Sequence, residues 1–219
     1  MVPDFAAQVI ICSEEVLTNL IKNICVFASA SNNLDDVYYK DAQKMGYLIA
    51  QSGYKLVYGG SRLGLMYACA NAAKQAGGKI YGIMPKKFAD MGLANPDDCE
   101  AFYITEGMRE RKAKLDELSD AVIALAGGFG TLEEVSEMIT QKQLDYSNKP
   151  IVLLNTNGLY NPLVEFFENV IKQGFADKGI KKVYYVADSP ENAIDYIRNY
   201  HGENTYIKYP NQQVLLNKN

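Results

Sequence analysis

The sequence has few of the side chains that bind metals or form nucleophile–base pairs. Its one histidine, His201, lies near the C-terminus, and its four cysteines form no C-x-x-C pair. Structural zinc sites need closely spaced cysteine and histidine ligands. One remote histidine also argues against a Ser-His-Asp triad, and the G-x-S-x-G turn of the α/β-hydrolases is missing. We therefore expect neither a zinc site nor a triad hydrolase.

Long apolar runs and an excess of basic residues are also missing. No apolar stretch approaches the ~20 residues of a membrane span, and the N-terminus lacks the basic start and apolar segment of a signal peptide. A net charge of −4 over 219 residues provides no basic surface for nucleic acid. We expect a cytoplasmic protein that binds neither membrane nor nucleic acid and has free thiols at Cys12, Cys25, Cys69 and Cys99.

Apolar segments of strand length alternate with segments of helix length from residue 24 onward. The predicted strands cover residues 24–28, 55–58, 79–84, 101–104, 121–125, 150–154 and 182–186. The predicted helices cover residues 38–51, 65–75, 108–118, 131–144, 161–172 and 190–200. Because the strands are apolar without period-two alternation, we expect an α/β fold with a doubly wound, mostly parallel sheet and helices on both faces.

The extent of this alternation predicts one folded domain with two appendages. The domain spans residues 23–200. Residues 1–22 are an N-terminal extension with a short helix through Ile21, and residues 201–219 are a polar tail. Residues 86–100 are irregular, which predicts a lid or a loop at the rim of a pocket.

Two glycine-rich turns follow predicted strands, at the edge of a parallel sheet where ligands bind. Residues 59–64 read GGSRLG, and residues 125–134 read LAGGFGTLEE. In the second turn we expect positive φ angles and close approach to a ligand at Gly127, Gly128 and Gly130. Thr131 is the expected N-cap of the next helix, whose N-terminus favours a phosphate. The alternative is that both are plain tight turns, since neither the dinucleotide nor the P-loop motif is matched.

Charged residues surround these turns. The segment 108–112, MRERK, follows a strand end on the ligand side of the sheet, which suits an arginine or lysine that binds phosphate. Its alternative is a solvated helix face held by local ion pairs. Glu133 and Glu134 are expected in the first turn of the next helix, where carboxylates commonly complement the helix dipole. A carboxylate beside glycines and an arginine is also suited to stabilising a positive sugar transition state or to activating water.

In combination, these motifs resemble the Lonely guy family, the cytokinin riboside 5′-monophosphate phosphoribohydrolases. The family signature P-G-G-x-G-T-x-x-E corresponds to residues 126–134, and its E-R-K element corresponds to residues 110–112. The resemblance covers about residues 24–174. Further matches are LVYGG at 56–60, GLM at 64–66, QL at 143–144 and KP at 149–150.

The resemblance implies a Rossmann-like, homodimeric enzyme that hydrolyses the N-glycosidic bond of a purine nucleoside 5′-monophosphate, with no metal or organic cofactor. The products are the free base and ribose 5-phosphate. Glu134 is implied to stabilise the oxocarbenium-like sugar and to steer water, and Arg111 to hold the substrate and support departure of the base. The implied substrate contacts are Gly60, Ser61, Met108, Lys112, Gly127, Gly128, Gly130, Thr131, Glu133 and Thr140.

Several residues differ from the family pattern. Ala126 replaces the motif proline, Ser61 stands where a third glycine is usual, and Arg109 replaces the common histidine of M-H-E-R-K. The catalytic pair is intact, so these differences bear on the preferred base. The candidate substrates are AMP and isopentenyl-adenosine monophosphate.

Two other functions fit the same site. One is a general AMP nucleosidase, and the other is a non-catalytic carrier of a nucleotide or of the molybdenum cofactor. The retention of Glu134 and Arg111 argues against a pure carrier. Relatives have also been labelled lysine decarboxylases, but nothing in this sequence marks a pyridoxal-phosphate lysine and a loop for that cofactor.

Overall fold

The computed structural model describes residues 21–202. Within that range, seven strands form one sheet: β1 Asn23–Phe27, β2 Lys55–Tyr58, β3 Ile80–Pro85, β4 Ala101–Thr105, β5 Ala121–Ala124, β6 Ile151–Leu154 and β7 Tyr185–Ala187. The α-helices of the same range are α1 Asp36–Gln51, α2 Gly64–Gln75, α3 Lys86–Asp90, α4 Met108–Glu117, α5 Phe129–Gln143, α6 Asn161–Lys172 and α7 Pro190–Arg198.

The strands lie in the order β4-β3-β2-β1-β5-β6-β7, and all neighbours are parallel. From β1 the chain adds β2, β3 and β4 on one side, and then returns to place β5 on the other side of β1. The carboxyl ends of β1 and β5 therefore flank the switch point at which sheets of this kind bind ligands. The predicted doubly wound, parallel α/β fold is confirmed.

Alternate residues of the central strands enter two apolar layers. In β1, Ile24 and Val26 pack with residues of α1, α2 and α7. Cys25 and Phe27 point the other way and pack with residues of α4 and α5. Side chains of a strand alternate between the faces of the sheet, so a strand that is covered on both faces is apolar throughout, as the sequence indicated.

The start of α5 differs from the sequence prediction. The helix begins at Phe129 with Gly128 as its N-cap residue, and Thr131, the expected cap, lies inside the first turn. Glycine is accepted at an N-cap, so the glycine turn itself initiates the helix. Glu133 and Glu134 consequently lie beyond the first turn, where the helix dipole alone accounts for them less well.

The last strand also begins later than predicted. Its pairing with β6 involves only Tyr185, Val186 and Ala187, and Lys178–Lys182 form a 3-10 helix. The register of the neighbouring strand therefore decides where β7 starts, although the apolar run begins earlier.

The helix expected in residues 13–21 falls almost wholly outside the described residues, and the tail from residue 203 onward lies outside them as well. The domain boundaries stay a prediction. Within residues 21–202, no helix combines the length and apolarity needed to cross a membrane.

One lysine is buried in the core-facing side of α5. Lys142 has no exposed surface, and its ammonium donates to the Lys149 carbonyl and to the Tyr200 hydroxyl, both at 2.8 Å. The ammonium also lies 4.6 Å from the centre of the Tyr200 ring. Burial lowers the pKa of Lys142 to about 8.

We expect Lys142 to make the free energy of unfolding depend on pH between about 8 and 10.5. In this window the unfolded chain keeps a proton that the folded chain has lost from Lys142, so the unfavourable effect of burying the charge fades as pH rises. The free energy of unfolding is measured in urea at both ends of this pH window for the wild type and for Lys142→Met. From the lower to the upper pH, the free energy of unfolding of the wild type should increase by roughly 2 kcal/mol more than that of Lys142→Met. A difference between the two proteins that stays constant or shrinks with pH contradicts this expectation.

Candidate active site

The loops that follow β1, β2 and β5 are joined at the carboxyl edge of the sheet. The Ser29 N–H donates to the Ala126 carbonyl (3.1 Å), and the Leu65 N–H donates to the Ser29 carbonyl (2.9 Å). The Asn32 Oδ1 accepts from the Gly64 N–H at 2.8 Å. The β1 loop thus holds both glycine turns side by side. Asn32 was not singled out from the sequence, because a polar residue in a short loop carries no local signal of this contact.

The backbone of the second glycine turn differs from the expectation. The positive φ angles predicted for Gly127, Gly128 and Gly130 are wrong, and the positive angles occur instead at Gly60 (71°) and Gly64 (59°). At Gly127 a Cβ would overlap the Thr131 hydroxyl oxygen, so glycine is needed there for space.

The other two glycines of this turn leave the start of α5 open. A Cβ at Gly128 or Gly130 would meet no atom within 4 Å. The first N–H groups of a helix have no partner within the helix. Gly128, Phe129 and Gly130 are exposed, so the start of the helix faces solvent, which is an arrangement that suits an anion.

A buried ion pair connects α4 to α5 at this edge. Arg111 Nη1 lies 2.5 Å from Glu134 Oε1, and each residue is only 8% exposed. The Arg111 Nε–H also donates to the Ile83 carbonyl at the end of β3 (3.2 Å). Burial raises the pKa of the Glu134 carboxyl, and the charge and hydrogen bond of Arg111 oppose part of that effect. The structure therefore brings together the two residues to which the resemblance assigned the chemistry.

A second charged cluster lies on the outer side of the same two helices. The Lys112 ammonium contacts the Glu133 carboxylate and lies 2.6 Å from Glu137 Oε2. The hydrogen bonds that the Lys112 ammonium donates to these two carboxylates raise the pKa of Lys112. Lys112 and Glu133, both expected as substrate contacts, are paired with each other, so either one must exchange partners in order to bind a ligand.

The remaining expected contacts lie in different settings. Ser61 is buried, and its Oγ accepts a backbone N–H two residues further on at 3.2 Å, so the hydroxyl is engaged within its own turn. Met108 begins α4 and is 43% exposed. Thr140 is six residues beyond Glu134, about 9 Å along the helix, and its hydroxyl donates to the Ser136 carbonyl. The structure does not bring Thr140 to the buried pair.

Residues 86–100 were expected to be irregular, but they contain the short helix α3 and a 3-10 helix at Pro96–Asp98. Between these two helices, residues 93–95 are bonded to the first glycine turn. The Asn95 N–H donates to the Gly60 carbonyl (2.9 Å), and the Arg62 N–H donates to the Leu93 carbonyl (3.0 Å). The Arg62 Nε–H adds a bond of 2.6 Å to the Ala94 carbonyl. Of the two expected roles, lid or rim loop, these bonds fit a rim loop that fixes the turn. Asn95 is buried and is a further residue that the sequence did not single out.

A cleft of about 240 Å³ lies between α4 and α5 and includes Glu134 in its wall. Pockets that enclose a whole drug-sized ligand are commonly ~300–1,000 Å³, so this cleft has room for only part of a nucleotide-sized molecule. Other residues of the wall are Phe27, Arg109, Lys112, Glu137 and Met138. Among residues 21–202, no three histidine, cysteine or carboxylate side chains are grouped to hold a metal ion.

Comparison with known proteins identifies similar chains. A family model described as possible lysine decarboxylase matches residues 66–197. The chain is 40% identical over 177 residues to the cytokinin riboside 5′-monophosphate phosphoribohydrolase of Rhodococcoides fascians, across 81% of this chain and 89% of that protein. A phosphoribohydrolase of the same kind from Arabidopsis thaliana is 35% identical, across 82% of this chain and 84% of that protein.

A solved structure shares the fold. The molybdenum cofactor binding protein of Rippkaea orientalis superposes with a TM-score of 0.64 at 29% identity, covering 82% of this chain and 96% of that chain. The sequence relatives and the family match together confirm the resemblance stated from the motifs. The chain belongs to the Lonely guy family, which includes the cytokinin riboside 5′-monophosphate phosphoribohydrolases.

Proposed function

We propose that this protein hydrolyses the N-glycosidic bond of a cytokinin-type purine nucleoside 5′-monophosphate to the free base and ribose 5-phosphate. The observation that carries the proposal is the buried Arg111–Glu134 pair beside the open start of α5. The relatives at 35–40% identity are named for this reaction. AMP is the second candidate substrate, and its use would make the protein a general nucleosidase.

The start of α5 suits the phosphate of such a substrate. Its free N–H groups and the positive end of its dipole favour a dianion. Glu134 follows Phe129 by five residues, which places it about 7.5 Å further along the helix axis. A ribose 5-phosphate group extended along α5 from that end brings its C1′ atom towards the Glu134 carboxylate.

Glu134 and Arg111 then have separate tasks. A carboxylate next to C1′ stabilises the positive charge that develops as the bond to the base breaks. Arg111 binds Oε1, so Oε2 can accept a hydrogen bond from a ribose hydroxyl or from the attacking water. The water oxygen bonds to C1′, and the base leaves with a proton. Arg111 favours the ionised form of Glu134 against the effect of burial.

The proposal is tested by incubating purified protein with isopentenyl-adenosine monophosphate and with AMP, followed by chromatography for free base and ribose 5-phosphate. We expect the wild type to release base, and Glu134→Gln to lower kcat about 100-fold or more, because the amide cannot stabilise the cation. Arg111→Ala should lower it comparably. Glu165→Gln, at an exposed glutamate of α6, is the matched control and should leave kcat unchanged.

The alternative supported by a specific observation is a carrier, because the solved relative from R. orientalis is a molybdenum cofactor binding protein. A wild type that binds nucleotide but releases no base rejects the hydrolase and favours the carrier. Release from AMP with no preference for the isopentenyl compound favours the general nucleosidase.

The pH dependence of kcat/KM provides an independent check. The ionised carboxylate of Glu134 is the active form, so activity falls as pH falls through its pKa. Because burial raises that pKa above the ordinary value of 4.5, the acidic limb should lie above pH 4.5. The residual activity of Glu134→Gln should lack this limb. If Glu134→Gln keeps the same acidic limb in its pH profile of kcat/KM, a group other than Glu134 causes that limb.

We also propose that the protein is a homodimer. Helix α6 is amphipathic, yet none of its residues is fully buried. Phe166 on α6 is 59% exposed, Phe175 just beyond it is 83% exposed, and Phe129 at the start of α5 is 92% exposed. Neighbouring exposed apolar side chains, such as those of Phe166 and Phe175 on and just beyond α6, are typical of surfaces that bind other proteins.

Light scattering coupled to size exclusion should give about twice the chain mass of 24.4 kDa. We expect the double variant Phe166→Ser/Phe175→Ser to shift the protein towards the monomer, because it removes apolar area from that face. Tyr47→Ser, at a half-exposed aromatic residue of α1, is the control and should remain dimeric. A monomeric wild type rejects the proposal.

A cytoplasmic location is proposed on separate grounds. Cys25, Cys69 and Cys99 are free thiols, as expected for a protein in a reducing compartment.

A further inference from the structure

We propose that Gly59 is a positioning residue for Arg111: the absence of a side chain at the end of β2 creates the space that the guanidinium occupies. The functional part of this inference rests on the proposed hydrolase activity. The structural part is independent of that activity, because it concerns only the packing of the Arg111 side chain against Gly59.

The packing around Gly59 supports this assignment. Gly59 directly follows Tyr58, the last residue of β2. A Cβ at Gly59 would overlap Arg111 Nη2 and lie 3.3 Å from Arg111 Cζ and 2.9 Å from Met66 Sδ. Real Cβ atoms essentially never lie within 3.0 Å of another heavy atom, so an added methyl group forces the guanidinium and the end of the Met66 side chain to move.

The guanidinium has little freedom to move. Its Nε–H is bonded to the Ile83 carbonyl of β3, and its Nη1 is bonded to Glu134 of α5. Gly59, directly after β2, closes the third side. Displacement by a methyl group at Gly59 must therefore lengthen at least one of these two bonds, and the bond to Glu134 is the one that the chemistry requires.

The neighbouring glycine is required for a different reason. Gly60 has a φ of 71°, in the region that side chains rarely adopt, and a Cβ there would press on the Phe102 ring. Gly59 has no positive φ, so alanine is compatible with its backbone. The requirement for glycine at position 59 is one of space, and the group that comes nearest to the missing side chain is the Arg111 guanidinium, followed by the flexible end of Met66.

A double-mutant cycle that measures the free energy of unfolding tests directly whether Gly59 makes space for Arg111. Gly59→Ala, Arg111→Ala and the double variant are unfolded in urea alongside the wild type. We expect Gly59→Ala to lower the folding equilibrium constant at least tenfold when Arg111 is present and less than twofold in the Arg111→Ala background. Coupling between residues in contact is what such a cycle measures.

Activity provides the second arm. Gly59→Ala should lower kcat at least tenfold, while the double variant Gly59→Ala/Arg111→Lys should be no slower than Arg111→Lys alone. Gly107→Ala, whose added methyl group meets no atom within 4 Å, is the control and should leave kcat within twofold.

An equal loss of stability from Gly59→Ala in both backgrounds overturns the proposal, because the clash then lies elsewhere. If Gly59→Ala does not fold, a folded Gly59→Ala/Arg111→Ala protein supports the proposal, and a double variant that is unfolded when Arg111→Ala alone is folded overturns it. Failure of the wild type to release base removes the hydrolase proposal but leaves the urea cycle interpretable.

Discussion

Two opposite charges that are buried in contact, those of Arg111 and Glu134, place the strongest constraint on the carboxyl edge of this sheet. Removing one partner of such a pair typically costs about 3–5 kcal/mol, because the other charge is left buried alone. The helices α4 and α5 must therefore dock in one arrangement. The Ile83 carbonyl accepts a hydrogen bond from the Arg111 Nε–H, and the absence of a side chain at Gly59 leaves space for the guanidinium.

The glycines around this pair serve different physical ends. Gly60 and Gly64 adopt positive φ angles that disfavour a side chain. Gly127 makes room for Thr131, and Gly59 makes room for Arg111. The remaining glycines of the second turn leave the start of α5 uncovered. At neighbouring positions, glycine thus allows a backbone conformation that other residues avoid, leaves space for a packed side chain, or keeps the start of a helix accessible to a ligand.

Hydrogen bonds with two other segments, the β1 loop and residues 93–95, fix the glycine turns. The β1 loop bonds to both turns through Ser29 and Asn32, and the segment 93–95 bonds to the first turn. Groups that stabilise charge in a transition state act best when they are already in place. A turn fixed by backbone hydrogen bonds is consistent with that requirement, and a mobile lid over the same position is not.

The sequence by itself determined the order of strands and helices, the parallel sheet and the identity of the charged pair. Apolar runs report burial on both faces of a sheet, and the two glycine motifs with residues 110–112 carry the family resemblance. The tertiary structure decided how these parts meet. Arg111 and Glu134 are 23 residues apart and Gly60 and Asn95 are 35 apart, so no local pattern reveals their contacts. The buried ammonium of Lys142 also depends on a distant segment, which supplies the Tyr200 hydroxyl. Local sequence patterns report the periodicity of apolar residues and the residue types of turns. Why a given position requires glycine, or tolerates a buried charge, depends on which distant residues pack against it.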